Sequence, residues 1–178
     1  MTKGLRKIPA CPLGLAIVVA FFLMVAFWRL NQPSYPYFDE AYHVPAARLV
    51  ARNDPRAYEW WHPPVAGDDY HDWLHPPLVK LIQAGSLRLL GDNGWGWRVP
   101  SVVAGGLVVV AIYVFSRRIF AATRTRHQPH QLALLASLLF AVSGLSLVHS
   151  RIAMNDIFSS LLMLLALVMI SLWQPKLW

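Results

Sequence analysis

Apolar and polar stretches alternate along the chain on the scale of a membrane crossing. Four apolar runs cover residues 13–28, 99–116, 132–148 and 157–173. At about 1.5 Å of rise per residue, runs of this length approach the roughly 30 Å hydrocarbon core of a bilayer. The pattern predicts an all-α integral membrane fold: about four transmembrane helices in a single membrane domain over 1–178, with a large outer loop carrying short interfacial helices. The first run follows Lys3, Arg6 and Lys7, as in a signal peptide. Its apolar core is long, however, Trp28 and Arg29 follow it, and no small-x-small cleavage site is evident, so an uncleaved anchor is expected.

The polar segments fix an orientation. Residues 117–131 read RRIFAATRTRHQPHQ, with four arginines and no acid. Together with the basic N-terminus this places both termini on the cytoplasmic side, and residues 31–98 and about 149–156 outside. In the outer loop, Pro45 limits a short helix to about 44–52, because proline fits only a helix's first turn. A second helix is predicted from Pro76 to Leu90, opened by two prolines and closed by Gly91. Its mixture of Leu78, Leu81, Ile82 and Leu89 with Lys80, Gln83 and Arg88 predicts a helix lying in the interface. Trp95 and Trp97 are expected at headgroup depth.

Composition sharpens this picture. The chain of 178 residues is 56% hydrophobic and 14% charged, against about a quarter charged in soluble domains. Its net charge of +7 is carried by cations at the ends of apolar runs, which points to membrane lipids and away from nucleic acid as a partner. A lone cysteine, Cys11, leaves no intrachain disulfide to hold the outer loop. That loop contains eight of the nine acidic residues, four of the seven histidines and five of the eight tryptophans, so candidate chemistry concentrates there. WWHPPV at 60–65 is echoed by WLHPPL at 73–78, but two copies do not make a repeat architecture. Phosphate-loop, dinucleotide, serine-hydrolase and CxxC signatures are absent from the sequence.

Four constellations could carry chemistry. Asp39-Glu40 follows Tyr37 and Phe38; carboxylates beside an apolar surface become better proton acceptors, while the plainer alternative is two solvated acids favouring a helix start. His75-Pro76-Pro77-Leu78-Val79-Lys80 offers a rigid turn, a helix N-terminus and a cation suited to a lipid-linked phosphate, or a simple helix start with a snorkelling lysine. Arg151 and Asp156 flank the short outer loop, facing a cavity or the lipid headgroups. Asp68, Asp69, His71 and Asp72, with His62 and His75 nearby, contain metal-ligand types but no recognised spacing; no metal or other cofactor is indicated.

Taken in order, PYFDEAYHVPAAR after the first span, HPPLVK, GWGWRVPS opening the second, RR closing it, and HSRIAMNDIF resemble the N-terminal part of the protein O-mannosyltransferase family. Members are GT-C-fold glycosyltransferases with a polyprenyl-phosphate sugar donor. The resemblance implies Asp39 as catalytic base with Glu40 supporting it. It implies His75, Lys80 and Arg98 around the donor phosphate, and Arg151 and Asp156 lining the same cavity. Val79 stands where the family's lysine motif has glycine. The implied reaction is inverting transfer of a mannose-like sugar to a hydroxyl acceptor. The family has many more spans than four, which implies a partial or split enzyme working with other membrane polypeptides. The alternative is a non-catalytic accessory subunit derived from this family. A plasma membrane location, or the endoplasmic reticulum in a eukaryote, follows from either.

Overall fold

The computed structural model describes residues 13–57, 61, 75–122 and 129–173. Among them every regular element is helical: α1 (Leu13–Phe27), α2 (Glu40–Ala51), α3 (Pro77–Leu90), α4 (Gly94–Ala122), α5 (Pro129–Val142), α6 (Gly144–Arg151) and α7 (Asp156–Trp173), with a single 3-10 turn at Pro55–Ala57. The WWHPPV/WLHPPL echo and the His62–Asp72 stretch fall largely outside the described residues.

Helix α4 is the central post, touching α1, α3, α5, α6 and α7. Its 29 residues extend about 44 Å, well beyond the predicted 99–116. It starts early because Gly96 lets the chain reverse tightly after α3: a Cβ there would lie 1.9 Å from the Gly91 carbonyl oxygen. Pro100 sits inside the helix and removes the bond that the Gly96 carbonyl would receive. At its far end α4 carries Arg117 and Arg118 as helical residues. On its inner face Gly105 admits α6 and α1 closely, since a Cβ there would meet Ser150 Oγ at 2.3 Å and Phe22 Cζ at 2.8 Å.

Two apolar clusters flank this post. Leu15, Val18, Phe22 and Ala26 of α1 pack on Val102, Val109 and Tyr113 of α4 and on Ala133 and Ala141 of α5. On the other side Val79 of α3 joins Ala104 and Val108 of α4 and Ile157, Phe158 and Leu161 of α7. Valine at 79 is thus a packing residue.

By length and composition α4 and α7 can each cross a membrane. The predicted third span is not straight: α5 and α6 meet at 63° and together pass the same test. The break falls at Ser143-Gly144, the kind of small-residue pair at which helices bend sharply. Helix α1 is apolar but has 15 described residues. Among the described residues, two helices are therefore long and apolar enough to span, or three counting the bent pair.

Two shorter helices also depart from expectation. Helix α2 begins at Glu40, four residues before the predicted start, and encloses Pro45. Asp39 already has helical dihedrals, and its carbonyl accepts from the Tyr42 and His43 amides. Helix α3 ends at the predicted Leu90 but starts one residue later than predicted, at Pro77, with Pro76 extended before it and Gly91 at φ +86° after its end. Its two faces are sharply different. Lys80 and Gln83 are buried, whereas Leu78, Leu81, Ile82 and Leu89 face outward, Leu89 with 85% of its surface exposed. That is the arrangement of a helix whose outer side meets lipid.

Candidate active site

At the end of the bundle where α4 begins, α1, α2, α3 and the 152–155 segment converge. The centre of the convergence is an ion pair. Glu40 and Arg98 are 0% and 1% exposed. Arg98 Nε and Nη2 donate to the two carboxylate oxygens at 2.8 and 2.7 Å. Such a fork-to-fork pair is the strongest geometry for these groups.

The remaining donors of Arg98 are also used. Nη1 donates to the Leu30 and Pro33 carbonyls, each at 2.8 Å, and Nη2 to the Tyr35 carbonyl at 3.2 Å. A guanidinium has five N–H groups, so this one is saturated. Glu40 accepts further bonds from the Ala153 amide at 2.9 Å and the Tyr37 amide at 3.3 Å. One buried pair thereby ties the end of α1, the 30–37 segment, α2, α4 and the 153 backbone together.

Asp39, the adjacent residue, is in a different state. It is half-buried, and its carboxylate makes no hydrogen bond or ion pair among the described residues. It stands at the N-terminus of α2, where the helix dipole favours negative charge.

One helical turn along α2, the His43 ring meets the His75 ring edge-on, with centroids 4.9 Å apart. Lys80 Nζ donates to the His75 carbonyl at 3.1 Å. His75 and Lys80 are therefore brought together, and His43 connects them to the turn that carries Asp39 and Glu40. The Pro76-Pro77 dipeptide makes this possible: Pro76 is extended and Pro77 opens α3, so the His75 carbonyl sits within reach of a side chain one turn further on.

Arg151 and Asp156 lie apart from that pair. Arg151 donates from Nη1 to the Val25 carbonyl at 3.0 Å and from Nη2 to the Trp28 carbonyl at 2.7 Å. It closes the C-terminus of α1, where a cation complements both the orphan carbonyls and the dipole. Asp156 opens α7 with its side chain 54% exposed, 3.9 Å from His149 Nδ1.

Tyr37 was not a candidate in its own right, yet it covers the ion pair, its ring 5.2 Å from the Arg98 guanidinium carbon. Burial, with the Glu40 charge adding to it, pushes its phenol above the ordinary tyrosine value, while Arg98 and Arg151 pull the other way. Trp95 is partly exposed and stacks on Phe27. Trp97, by contrast, is buried, with the Arg48 and Arg98 guanidinium carbons 5.5 and 5.7 Å from its ring. His43 carried a usable signal, since it lies three and four residues after Glu40 and Asp39 and so on their helix face. Among the described residues no group of three or more His, Cys, Asp or Glu could hold a metal.

An apolar groove of about 590 Å³ runs beside this region, between α3, α4 and α7; Leu78, Ile82, Leu89, Val103, Leu107 and Leu162 are among its walls.

Apolar helices long enough to span, with a buried charged cluster at one end of the bundle, define a helical membrane protein with a polar site. The chain belongs to the dolichyl-phosphate-mannose-protein mannosyltransferase family, whose model matches residues 74–176. It is 31% identical over 150 residues to a polyprenol-phosphate-mannose–protein mannosyltransferase of Corynebacterium glutamicum, covering 80% of this chain and 26% of the relative. A protein of the same description from Mycolicibacterium smegmatis is 32% identical over 146 residues, covering 80% of this chain and 25% of that one. One from Mycobacterium tuberculosis is 29% identical over 129 residues, covering 72% and 22%. The matched region is thus about a quarter of the length of these relatives. No solved structure matches the chain.

Proposed function

We propose that the chain carries the acceptor-activating part of a GT-C-like mannosyltransferase that draws its sugar from a polyprenyl-phosphate donor. The observation that carries this reading is the contrast at 39–40. Glu40 has its oxygens committed to Arg98 and two backbone amides, whereas the Asp39 carboxylate beside it is unengaged. A general base has to be held in place and yet be free to accept a proton.

In the proposed reaction the acceptor hydroxyl gives its proton to an Asp39 carboxylate oxygen. The hydroxyl oxygen forms a bond to the anomeric carbon as the bond from that carbon to the phosphate oxygen breaks. The electron pair leaves with polyprenyl phosphate, and the anomeric centre inverts. Lys80, fixed by the His75 carbonyl, would place positive charge near the leaving phosphate, a form of electrostatic stabilisation that often dominates catalysis. Glu40 and Arg98 act as positioning residues, and Arg151 fixes the end of α1. The apolar groove, which shares the Leu78 turn with Lys80, suits the donor's isoprenoid tail.

In this reading α1, α4, the α5–α6 pair and α7 are four spans, and both termini are cytoplasmic. The site then faces the outside of a plasma membrane, or the lumen of an endoplasmic reticulum. Asp39→Asn is the test: transfer from polyprenyl-phosphate mannose should fall by about 10²–10⁴-fold, the range for losing a general base. Unchanged transfer would remove Asp39 from this role. A second reading, a non-catalytic subunit working with other membrane polypeptides, is favoured by the internal use of Glu40, Arg98 and Arg151. It predicts that Asp39→Asn leaves transfer by the assembly intact.

A further inference from the structure

A second cavity, with a mixed apolar and polar lining, lies on another face of α7. It measures about 400 Å³ and sits between the α5–α6 elbow and α7, within the roughly 300–1,000 Å³ range of small-molecule sites. Phe140, Leu145, Ile157 and Met163 supply apolar walls, and Ser146, His149, Asp156, Ser159 and Ser160 supply polar groups. The arrangement follows from two helical repeats. Ser146 and His149 are three residues apart on α6, and Asp156 and Ser160 four apart on α7, so each pair shares one face.

Most of these polar groups have no hydrogen-bond partner among the described residues. His149 Nδ1 is buried and has no hydrogen-bond partner among the described residues. Its nearest anion, Asp156 Oδ2, is 3.9 Å away, too far for a direct bond but suited to a single hydroxyl bridging both. The Ser146 and Ser160 hydroxyls make no hydrogen bond among the described residues, while Ser159 Oγ donates to the Asn155 carbonyl at 3.2 Å. A buried polar atom left without a partner calls for a ligand, water or ion to complete it.

The donor set decides the class of ligand. A phosphate would meet the Asp156 carboxylate with no lysine or arginine in the wall. A divalent cation would find one carboxylate and one imidazole, short of a coordination shell. A lipid tail would leave Ser146, His149, Asp156 and Ser160 unmatched. A ring bearing several hydroxyls fits: it can donate to Asp156 and accept or donate at His149, Ser146 and Ser160. Its C–H face would then lie on Phe140 and Leu145. We propose that this cavity is a carbohydrate-binding site, with His149 and Ser160 as recognition residues alongside Asp156. The proposal relies on the mannosyl-transfer reading only for the choice of probe.

The test is saturation-transfer NMR on the whole chain in detergent micelles, with methyl α-mannoside as the probe. The wild type should transfer saturation to the ring protons. His149→Phe and Ser160→Val should each weaken binding at least tenfold, and His149→Gln, which keeps a hydrogen-bonding group, should retain most of it. Each variant's helical circular dichroism is compared with the wild type, and a variant that has lost helix is replaced by Ser160→Ala in the same assay. Absence of probe binding in the wild type, equal binding in the variants, or displacement of the probe by inorganic phosphate would overturn the site. Displacement by a short-chain polyprenyl-phosphate mannose identifies the ligand as the donor's sugar; simultaneous binding identifies it as sugar on the acceptor side, and either supports the site. Asp39→Asn separates the two proposals, because it should lower transfer by about 10²–10⁴-fold while leaving probe binding intact.

Discussion

Glu40→Gln changes one buried atom type and should be among the most destabilising conservative substitutions in the chain. Glutamine keeps one acceptor oxygen but turns an NH₂ group toward the Arg98 guanidinium, so donor faces donor. It also leaves the Arg98 charge at 1% exposure with three backbone carbonyls and no counter-ion. Removing one member of a buried ion pair costs about 3–5 kcal/mol. At about 2–4 °C per kcal/mol for a chain of this size, the melting temperature should fall by roughly 6–20 °C. The assay is thermal unfolding of the purified chain in one fixed detergent, followed by tryptophan fluorescence or by the onset of aggregation. Asp39→Asn is the internal control: its side chain has no partner to lose, and it should shift stability by less than about 0.5 kcal/mol. Replacing Glu40 and Arg98 together with methionine should recover much of the loss, because the uncompensated charge is then gone. If Glu40→Gln melts within 2 °C of the wild type (an interval set by the roughly 6 °C lower bound), the pair does not hold this region together and the scaffold argument fails.

Other expectations are simpler. Arg151→Met should loosen the last turn of α1 by about 1–2 kcal/mol, read as faster amide exchange over residues 25–30 with little change in α7. Gly96→Ala forces a Cβ into the Gly91 carbonyl oxygen, whose contact would be 1.9 Å; the α3–α4 turn must open, and melting should fall by several degrees while Gly85→Ala, which meets nothing within 4 Å, should not. Tyr37 is an acid whose folded value is raised, so between the unfolded and folded values only the unfolded chain loses its proton. Stability should therefore fall as pH rises through about 10, the unfolded tyrosine value, and Tyr37→Phe should flatten that decline. Lys80→Met should weaken donor use mainly through KM if its cation serves to hold the phosphate, whereas a drop confined to kcat would place its effect in the transition state.

Several of these features were legible before any coordinates. The bounds of α3 were marked by its own residues, Pro76-Pro77 at the start and Gly91 at the end. The apolar runs located α4 and α7 because nothing competes with hydrophobicity over a span of that length. What local pattern could not reveal was direction. Lys80 and Gln83 look like a solvent face on a helical wheel, and only the neighbouring α2 and α4 turn that face inward. Pro45 misled for a similar reason: the lost hydrogen bond is a local cost, outweighed by burial of Glu40 against a residue 58 positions away. The elbow in the third apolar run was encoded in Ser143-Gly144, but an unbroken hydropathy profile hides a bend. As for the candidate residues, the sequence pointed to carboxylates and cations without revealing which were already committed. Arg98 and Arg151 were expected around a donor site; the donors of Arg98 go to Glu40 and three backbone carbonyls, and Arg151 gives two to the Val25 and Trp28 carbonyls.

The commitments of Arg98 also bear on the order of events during synthesis. Its partners lie at residues 30, 33, 35 and 40, all made before it, and Glu40 waits further for the amide of Ala153. The bonds that tie the segment bearing Asp39 to Arg98 can therefore form only once α4 has been made, and the bond from Ala153 only after α6. A nascent chain interrupted before residue 153 would present the carboxylate without the frame that aims it. The site is, in this sense, its own completion check.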